Sequence, residues 1–307
     1  MNHFVEIRDH SAQALGHVLD VARALRVERE AGQAHQPVLA GKALGMFFEK
    51  PSLRTRVSFE LATVELGGHA VVLGQDEVGL GRRESVGDFT RVLGGMVHGI
   101  AARVFDHQHL EQMRSCSDVP VINMLSDRSH PCQALADLMT MRDEFGDDLA
   151  GRTLAFVGDG NNVAHSLAWL CGKLGVRFVL ASPEGYELSL ETIEAIRADC
   201  PDADVRQIHD PHAAVAEADA IYCDTFVSMG QEAEAEKRQQ QFAAYTVDEA
   251  LVGRAPDQAI VMHCLPAHRG IEITDAVMDG PRSRVFGQAH NRLHAQKGLL
   301  AVLMGGC

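Results

Sequence analysis

Arg54 and Arg56 follow Ser52 closely, where an apolar run ends and a helical pattern begins. Ala43–Phe48 reads as a strand end. Pro51 and Ser52 open a helix with Ser52 as its N-cap, and Leu53, Val57, Leu61 and Val64 follow at helical spacing. The start of a helix carries unpaired N–H groups and partial positive charge, so cations there are misplaced unless an anion joins them. A bound phosphate resolves the conflict, because amides, hydroxyls and a guanidinium can all donate to it. Arg54, flanked by Ser52 and Thr55, is therefore read as an anion ligand. For Arg56, pairing with Glu60 one turn on is at least as good an account.

Further polar groups fall just after expected strands, the edge at which open α/β sheets bind ligands. Gly158-Asp159-Gly160-Asn161-Asn162 resembles a dinucleotide turn, but Val163 stands where the third glycine belongs. Asn162 either caps the next helix or presents its amide to a polar ligand; spacing does not separate the two. Asp224 and Ser228 could together grip an ammonium and a carboxylate, although an aspartate capping a turn is common. Cys264, beside Leu265 and Pro266 at another strand end, is either a small buried hydrophobe or a ligand contact. His130 and Gln133 lie at a helix start, where an imidazole could donate to a carbonyl oxygen; a capping histidine is the plainer account. Arg103 ends a strand and Arg292 opens the last helix, each a weak signal alone because most arginines are surface residues.

The elements that must position these groups alternate strand and helix. Residues 3–31 read as a helix, then strands at Ala43–Phe48, 69–73, 99–104 and 119–123 alternate with helices at 52–66, 84–96 and 107–115. Residues 74–83 form a Gly- and charge-rich loop, and 131–145 form one helix. The polar segment 146–151 is a good boundary loop. A second block has strands at 153–157, 177–181, 204–208, 220–223, 259–263 and 285–286, and ends in a helix over 289–304. The pattern predicts an α/β protein of two doubly wound domains, each a mostly parallel sheet flanked by helices.

The chain has 307 residues, 46% hydrophobic and 23% charged, which suits two domains with a sizeable core. A formal net charge of −14 argues against nucleic acid or an anionic membrane as partner, yet a few arginines can dominate one pocket. No apolar run reaches membrane-spanning length, and the charged N-terminus lacks a signal-peptide core, so a cytoplasmic location is expected. The seven cysteines are scattered without a Cys-x-x-Cys, and the sixteen histidines show no ligand spacing, so neither disulfides nor a required metal is expected.

Taken together, these segments resemble the aspartate/ornithine carbamoyltransferase family over nearly the whole chain and in the right order. The match runs through Ser52 to Arg56, Arg103, His130 to Gln133, Gly158 to Asn162, Asp224 to Gly230, His263 to Ala267, and Asn291 with Arg292. Ser-Met-Gly with His-Cys-Leu-Pro marks the ornithine branch. The resemblance implies a transferase of arginine metabolism. The reaction it implies is attack of the δ-amine of L-ornithine on the carbamoyl carbon of carbamoyl phosphate, expelling phosphate and giving L-citrulline without a cofactor. It implies a carbamoyl-phosphate domain over residues 1–134, onto which a C-terminal helix at 289–307 packs, and an ornithine domain over 135–288. Ser52, Leu53 (through its backbone), Arg54 and Thr55 would hold the phosphate; Arg103, His130, Gln133 and Arg292 would bind the carbamoyl end. Asn162, Asp224, Ser228 and Met229 would hold the α-amino and α-carboxylate groups of ornithine, and Cys264 and Leu265 would line the path of its side-chain amine. Arg54, Arg103, His130 and Cys264 are the residues assigned to catalysis. The family is a trimer with active sites between subunits, and trimers can stack into larger assemblies.

The family places Gln or His near position 79, on a loop that reaches the neighbouring subunit's site. Here Gly79 stands there, so that reach is either missing or supplied by Arg82 or Gln75. Leu53 replaces the commoner Thr and Phe226 the usual Trp. The nearest alternative is the same chemistry on aspartate, putrescine or an N-acylornithine, which Ser-Met-Gly disfavours. A nicotinamide-dependent oxidoreductase is disfavoured by the missing third glycine, and a catalytically silent homologue by the intact residue set.

Overall fold

Two separate parallel sheets carry the functional loops. The structure is a computed structural model that describes residues 1–227 and 232–307. The chain divides into two compact units, Met1–Met139 with His290–Cys307, and Thr140–Ala289.

The first unit opens with α1 (Ala12–Glu30), then β1 (Ala43–Phe48), α2 (Leu53–Glu65), β2 (His69–Gly74), α3 (Gln75–Val78), α4 (Val86–Gly94), β3 (Gly99–Arg103), α5 (His107–Cys116), β4 (Val121–Leu125) and the start of α6 (Pro131–Phe145). The strand order is β2-β1-β3-β4, all parallel. Every residue of β3 and β4 is buried, as expected of strands covered on both faces. The order reverses between β1 and β3, and loops leaving the carboxyl ends of such a pair diverge to open a ligand crevice. The first of those loops carries residues 49–52, and Arg103 is the last residue of β3. The β3–β4 register slips after Ala102, so Arg103 stands opposite Leu125 at an irregularity of the ladder.

The second unit continues α6 and adds β5 (Thr153–Val157), α7 (Asn162–Lys173), β6 (Arg177–Ala181), α8 (Leu190–Asp199), β7 (Val205–Ile208), α9 (Pro211–Val215), β8 (Ala220–Cys223), α10 (Ala235–Phe242), α11 (Glu249–Val252), β9 (Ile260–His263), α12 (Asp275–Met278) and the first turn of α13 (Val285–Leu300). Its parallel order is β7-β6-β5-β8-β9, so the reversal falls between β5 and β8. The turns after these two strands hold Asp159–Asn162 and Asp224. The two sheets and their flanking helices make the expected α/β architecture. Among the described residues, no helix is long and apolar enough to cross a membrane.

Four expectations about elements are corrected. Residues 285–286 are not a strand: the extended bridge to β9 is made two residues earlier, with the Val261 amide donating to Arg282 and the Arg284 amide to Val261, and Val285 already begins α13. Arg292 therefore lies about two turns inside that helix, not at its opening. Residues 3–11 are not part of α1. Phe4 instead pairs with β4, its amide donating to Val121 and its carbonyl accepting from Asn123, and Ser11 caps α1 by accepting from the Ala14 amide at 3.2 Å. Lastly, residues 74–83 contain a short helix, α3.

The apolar residues that mark α2 in the sequence face outward: Leu53, Val57, Leu61 and Val64 are 76%, 43%, 42% and 58% exposed. The buried face is Thr55, Ser58, Phe59, Ala62 and Thr63, whose smaller hydroxyls are satisfied within the helix, Ser58 on Arg54 O and Thr63 on Phe59 O. At the other end of the chain, α13 approaches α1 so closely that a Cβ on Gly298 would lie 2.7 Å from Ala22. Gly79 closes α3 in the left-handed region (φ 67°), and a Cβ there would meet the Arg83 Cβ at 2.8 Å, so this turn excludes a side chain at position 79. Gln75 is turned back onto the loop, donating to Leu80 O at 3.1 Å, and Arg82 is exposed.

Candidate functional site

In the first unit, the β1–α2 turn leaves its helix N-terminus open. Ser52 occupies the N-cap position with extended backbone, but its side chain does not cap the helix; its hydroxyl donates to Thr55 Oγ1 at 3.0 Å. The first-turn amides thus keep no side-chain acceptor from Ser52, which suits them to an incoming anion. Among the described residues, the half-buried Arg54 guanidinium makes no hydrogen bond or ion pair. Arg56 is exposed and reaches Glu60 at 3.4 Å, the solvated pairing expected for it.

Behind this opening lies a buried polar chain. Arg292 donates to Thr55 Oγ1 at 3.2 Å and to Gln133 Oε1 at 2.6 Å, and Gln133 donates to Asp137 Oδ1 at 2.7 Å. The amide of Gln133 is therefore held with its oxygen on Arg292 and its NH₂ on Asp137. Lys50, Arg103 and Arg292 are all buried, and Lys50 lies over the Phe105 ring at 4.3 Å. Burial first, then Arg292, Arg103 and Lys50, hold the His130 pKa well below the ordinary histidine value. His130 is thus a neutral imidazole near pH 7, able to donate a hydrogen bond without adding charge. Burial pushes the thiol of Cys132 up to about 12, against the pull of Arg292, and it points at Asn123 O at 3.3 Å, so it is inert.

In the second unit, Asp224 is the hub. Its Oδ2 accepts from Asn161 Nδ2 at 2.7 Å, and its Oδ1 accepts from Cys264 Sγ at 3.0 Å. Asn161 caps α7 through Val163 N and Ala164 N at 2.9 and 3.1 Å, so the capping role weighed for Asn162 belongs to its neighbour. Asn162 becomes the first helical residue, half-buried. A Cβ on Gly160 would lie 2.5 Å from the Glu187 backbone; this glycine serves internal packing, and no dinucleotide is needed to explain it. Arg238 is buried and donates to Asp159 Oδ2 at 2.9 Å and to Phe226 O at 3.0 Å, tying the β5 turn to the β8 turn. Burial raises the Asp159 pKa, Arg238 opposes, and Asp224 adds to the rise. Leu265 follows Cys264 with φ 58°, a left-handed backbone that costs a non-glycine residue about 1–3 kcal/mol, and it precedes a cis peptide to Pro266. Ser228 and Met229 lie outside the described residues.

Asp224, His263 and Cys264 each offer a ligand atom, all within 4.8 Å of one another, and no other such group occurs among the described residues. The cluster is hydrogen-bonded internally: Cys264 donates to Asp224, and His263 Nδ1 accepts from the Leu265 amide at 2.8 Å. Three donors also fall short of the four of a structural zinc site.

The first unit brings Ser52, Thr55, Gln133 and Arg292 into one chain of contacts, beside Arg54, Arg103 and His130. The second brings together Asp224 and Cys264, with Asn162 and Leu265 adjoining. Sequence reasoning missed Lys50, Asn161 and Arg238. Lys50 adjoins Pro51 and Asn161 adjoins Asn162, so proximity to a motif was an available signal; Arg238, in a polar charged run, offered none.

Comparison with known proteins divides the chain near the same point, with the second match running on into the C-terminal segment that belongs to the first unit. Residues 2–143 match the family described as aspartate/ornithine carbamoyltransferase, carbamoyl-P binding domain, and residues 150–303 match its Asp/Orn binding domain. The chain is 47% identical to the anabolic ornithine carbamoyltransferase of Pyrococcus furiosus over 302 residues, covering 98% of this chain and 95% of that protein. It is 47% identical to the ornithine carbamoyltransferase of Methanopyrus kandleri over 306 residues, covering 99% and 97%. The solved structure of the Pyrococcus furiosus enzyme superposes with a TM-score of 0.96 at 46% identity, covering all of this chain and 98% of that one.

Proposed function

Because the chain belongs to the aspartate/ornithine carbamoyltransferase family, we infer that it transfers the carbamoyl group of carbamoyl phosphate to the δ-amine of L-ornithine, giving L-citrulline and phosphate. The reaction is a step of arginine biosynthesis and needs no covalent enzyme intermediate. The observation that carries the site assignment is Arg54, a guanidinium without a protein partner among the described residues, beside first-turn amides that Ser52 leaves uncapped.

The first unit would hold carbamoyl phosphate. Ser52, the Leu53 amide, Arg54 and Thr55 would take the phosphate, and Arg103, His130, Gln133 and Arg292 the carbamoyl end. Lys50 would add positive charge close by. The carbonyl oxygen gains negative charge as the tetrahedral transition state forms, and Arg54, Thr55 and neutral His130 would donate to it. The second unit would hold ornithine, with Asn162, Asp224, Ser228 and Met229 on its α-groups. An alkyl amine with a pKa near 10.4 must lose a proton before it attacks, at a cost of roughly 4–5 kcal/mol at pH 7. Cys264 and Leu265 would orient that amine. The Leu265 carbonyl accepts no hydrogen bond among the described residues and can take one from the amine.

The amine assignment is tested by assaying carbamoyl phosphate against ornithine, aspartate, putrescine and N-acetylornithine. Ornithine is expected to give the highest kcat/KM, and a higher value for another acceptor overturns the choice.

The family's trimer is proposed here too, in the cytoplasm. Its support is the outward row of Leu53, Val57, Leu61 and Val64 on α2, an apolar stripe that a second copy of the chain would cover. Sedimentation should give three chain masses, and Leu61→Glu should lower that number; a monomeric parent protein removes the proposal. Fractionation of cells that finds the protein outside the cytoplasm removes the location.

A further inference from the structure

We propose that Glu272 is a positioning residue for the amine substrate. It fixes the turn that carries Cys264 and Leu265 and, through His268, the loop that follows Asp224. The proposal rests on the ornithine site assigned above and adds to it a residue that touches no substrate.

Glu272 and His263 are both fully buried. A carboxylate removed from water must find donors, and Glu272 finds them at both ends of one short segment. Its Oε1 lies 3.3 Å from His263 Nε2 and accepts from the His268 amide at 2.5 Å. The stretch from His263 to His268 is thereby drawn closed around a single oxygen.

The protons in this network follow from the partners. An amide N–H only donates, so His263 Nδ1, which faces the Leu265 amide at 2.8 Å, must be the acceptor. The ring proton then sits on Nε2 and points at Glu272, so the carboxylate selects the tautomer that can hold Leu265. That bond matters because Leu265 has φ 58°, a conformation that persists only where its surroundings over-determine it. Holding the Leu265 amide inward leaves its carbonyl for the substrate and keeps Cys264 Sγ on Asp224.

The second arm runs through His268. Its Nδ1 lies 3.2 Å from Thr225 Oγ1 and 3.6 Å from Glu272 Oε2. The Thr225 hydroxyl spends its proton on Val227 O at 3.0 Å, so the imidazole donates to Thr225. Glu272 thus holds the turn after β9 directly, and His268, whose amide it accepts from, reaches the turn after β8 through its ring.

The test is steady-state kinetics with both substrates varied, on Glu272→Ala, Glu272→Gln and His268→Ala, with thermal melts alongside. Groups that orient a first layer of ligands typically matter 10- to 100-fold, so Glu272→Ala is expected to raise the ornithine KM by about tenfold or more and leave the carbamoyl phosphate KM unchanged. Glu272→Gln keeps an oxygen for the His268 amide and His263 Nε2 and should bring the ornithine KM most of the way back. The His268 side chain is half exposed, at 53%, so His268→Ala should fold normally and still raise the ornithine KM about three- to tenfold, the size of one lost hydrogen bond. If Glu272→Ala does not fold, His268→Ala decides. An ornithine KM within about twofold of the parent in a folded variant, equal rises in both KM values, or no rescue by glutamine overturns the proposal. A parent protein that makes no citrulline is a different result, and it defeats the functional reading instead.

Discussion

Replacing Arg54 with alanine is expected to cut kcat/KM for carbamoyl phosphate by roughly 10²–10³-fold or more while leaving the melting temperature unchanged or slightly raised. The two effects have opposite signs for one reason. The guanidinium stands in the first turn of α2, where the helix end already carries partial positive charge, and no described residue pairs with it. In the empty protein it is mildly unfavourable, by about 0.3–1 kcal/mol, and removing it relieves that conflict. With carbamoyl phosphate bound it becomes an asset, first against the phosphate and then against the charge growing on the carbonyl oxygen. The loss of one such donor typically costs about 2.7–4 kcal/mol in the transition state. Most substitutions that abolish activity also weaken the fold, so this combination is diagnostic. Circular dichroism melts and steady-state rates on the same preparation measure both arms. A near-normal kcat, or a melting temperature that falls by many degrees, contradicts the anion-site assignment. The neighbouring Arg56→Ala serves as the control, since Arg56 is exposed and paired with Glu60 and should change little.

The fold was legible because parallel strands buried on both faces leave short, nearly unbroken apolar runs, and β1, β3, β5 and β8 all do so here. The polar groups after them were legible for the same reason: a strand end in an open sheet points at the ligand edge. What the sequence hid was of two kinds. Helical spacing says that Leu53, Val57, Leu61 and Val64 share a face, but not whether that face meets this chain's own sheet or something else. In α2 the buried face is that of Thr55, Ser58, Phe59, Ala62 and Thr63, and the apolar stripe is left outside. Capping was the other blind spot. Asn161 and Asn162 are chemically identical neighbours, and only the backbone path decides that the first caps α7 and bonds Asp224. Residues 285–286 misled through composition, since a valine followed by a phenylalanine suits a strand, while the pairing to β9 uses residues 282–284 and is over before Val285. Arg238 and Glu272 reach the site region only through buried contacts with residues distant in sequence or across a closed turn, which no local pattern announces.

Asp224→Asn should lower kcat/KM for ornithine by about 10²–10⁴-fold, because stripping one partner from a buried charge pair costs roughly 3–5 kcal/mol. The affinity for carbamoyl phosphate should not change, since that substrate is assigned to other residues. The same variant also says which amine the carboxylate serves. A carboxylate beside an ammonium favours the charged form and raises its pKa by about 1–3 units. Were Asp224 paired with the δ-amine, it would hinder the deprotonation that attack requires, and its removal would move the acid limb of the kcat profile to lower pH by a similar amount. Paired with the α-ammonium, it leaves that limb in place while binding collapses. Asparagine preserves the shape of the side chain and one oxygen for Asn161, so the hydrogen-bonded cap of α7 survives, while its NH₂ replaces the oxygen that accepts from Cys264 Sγ. The expected result is a large loss in kcat/KM with an unmoved acid limb. An acid limb displaced by a full unit would transfer Asp224 to the reacting nitrogen, and with it the role now given to Cys264 and Leu265.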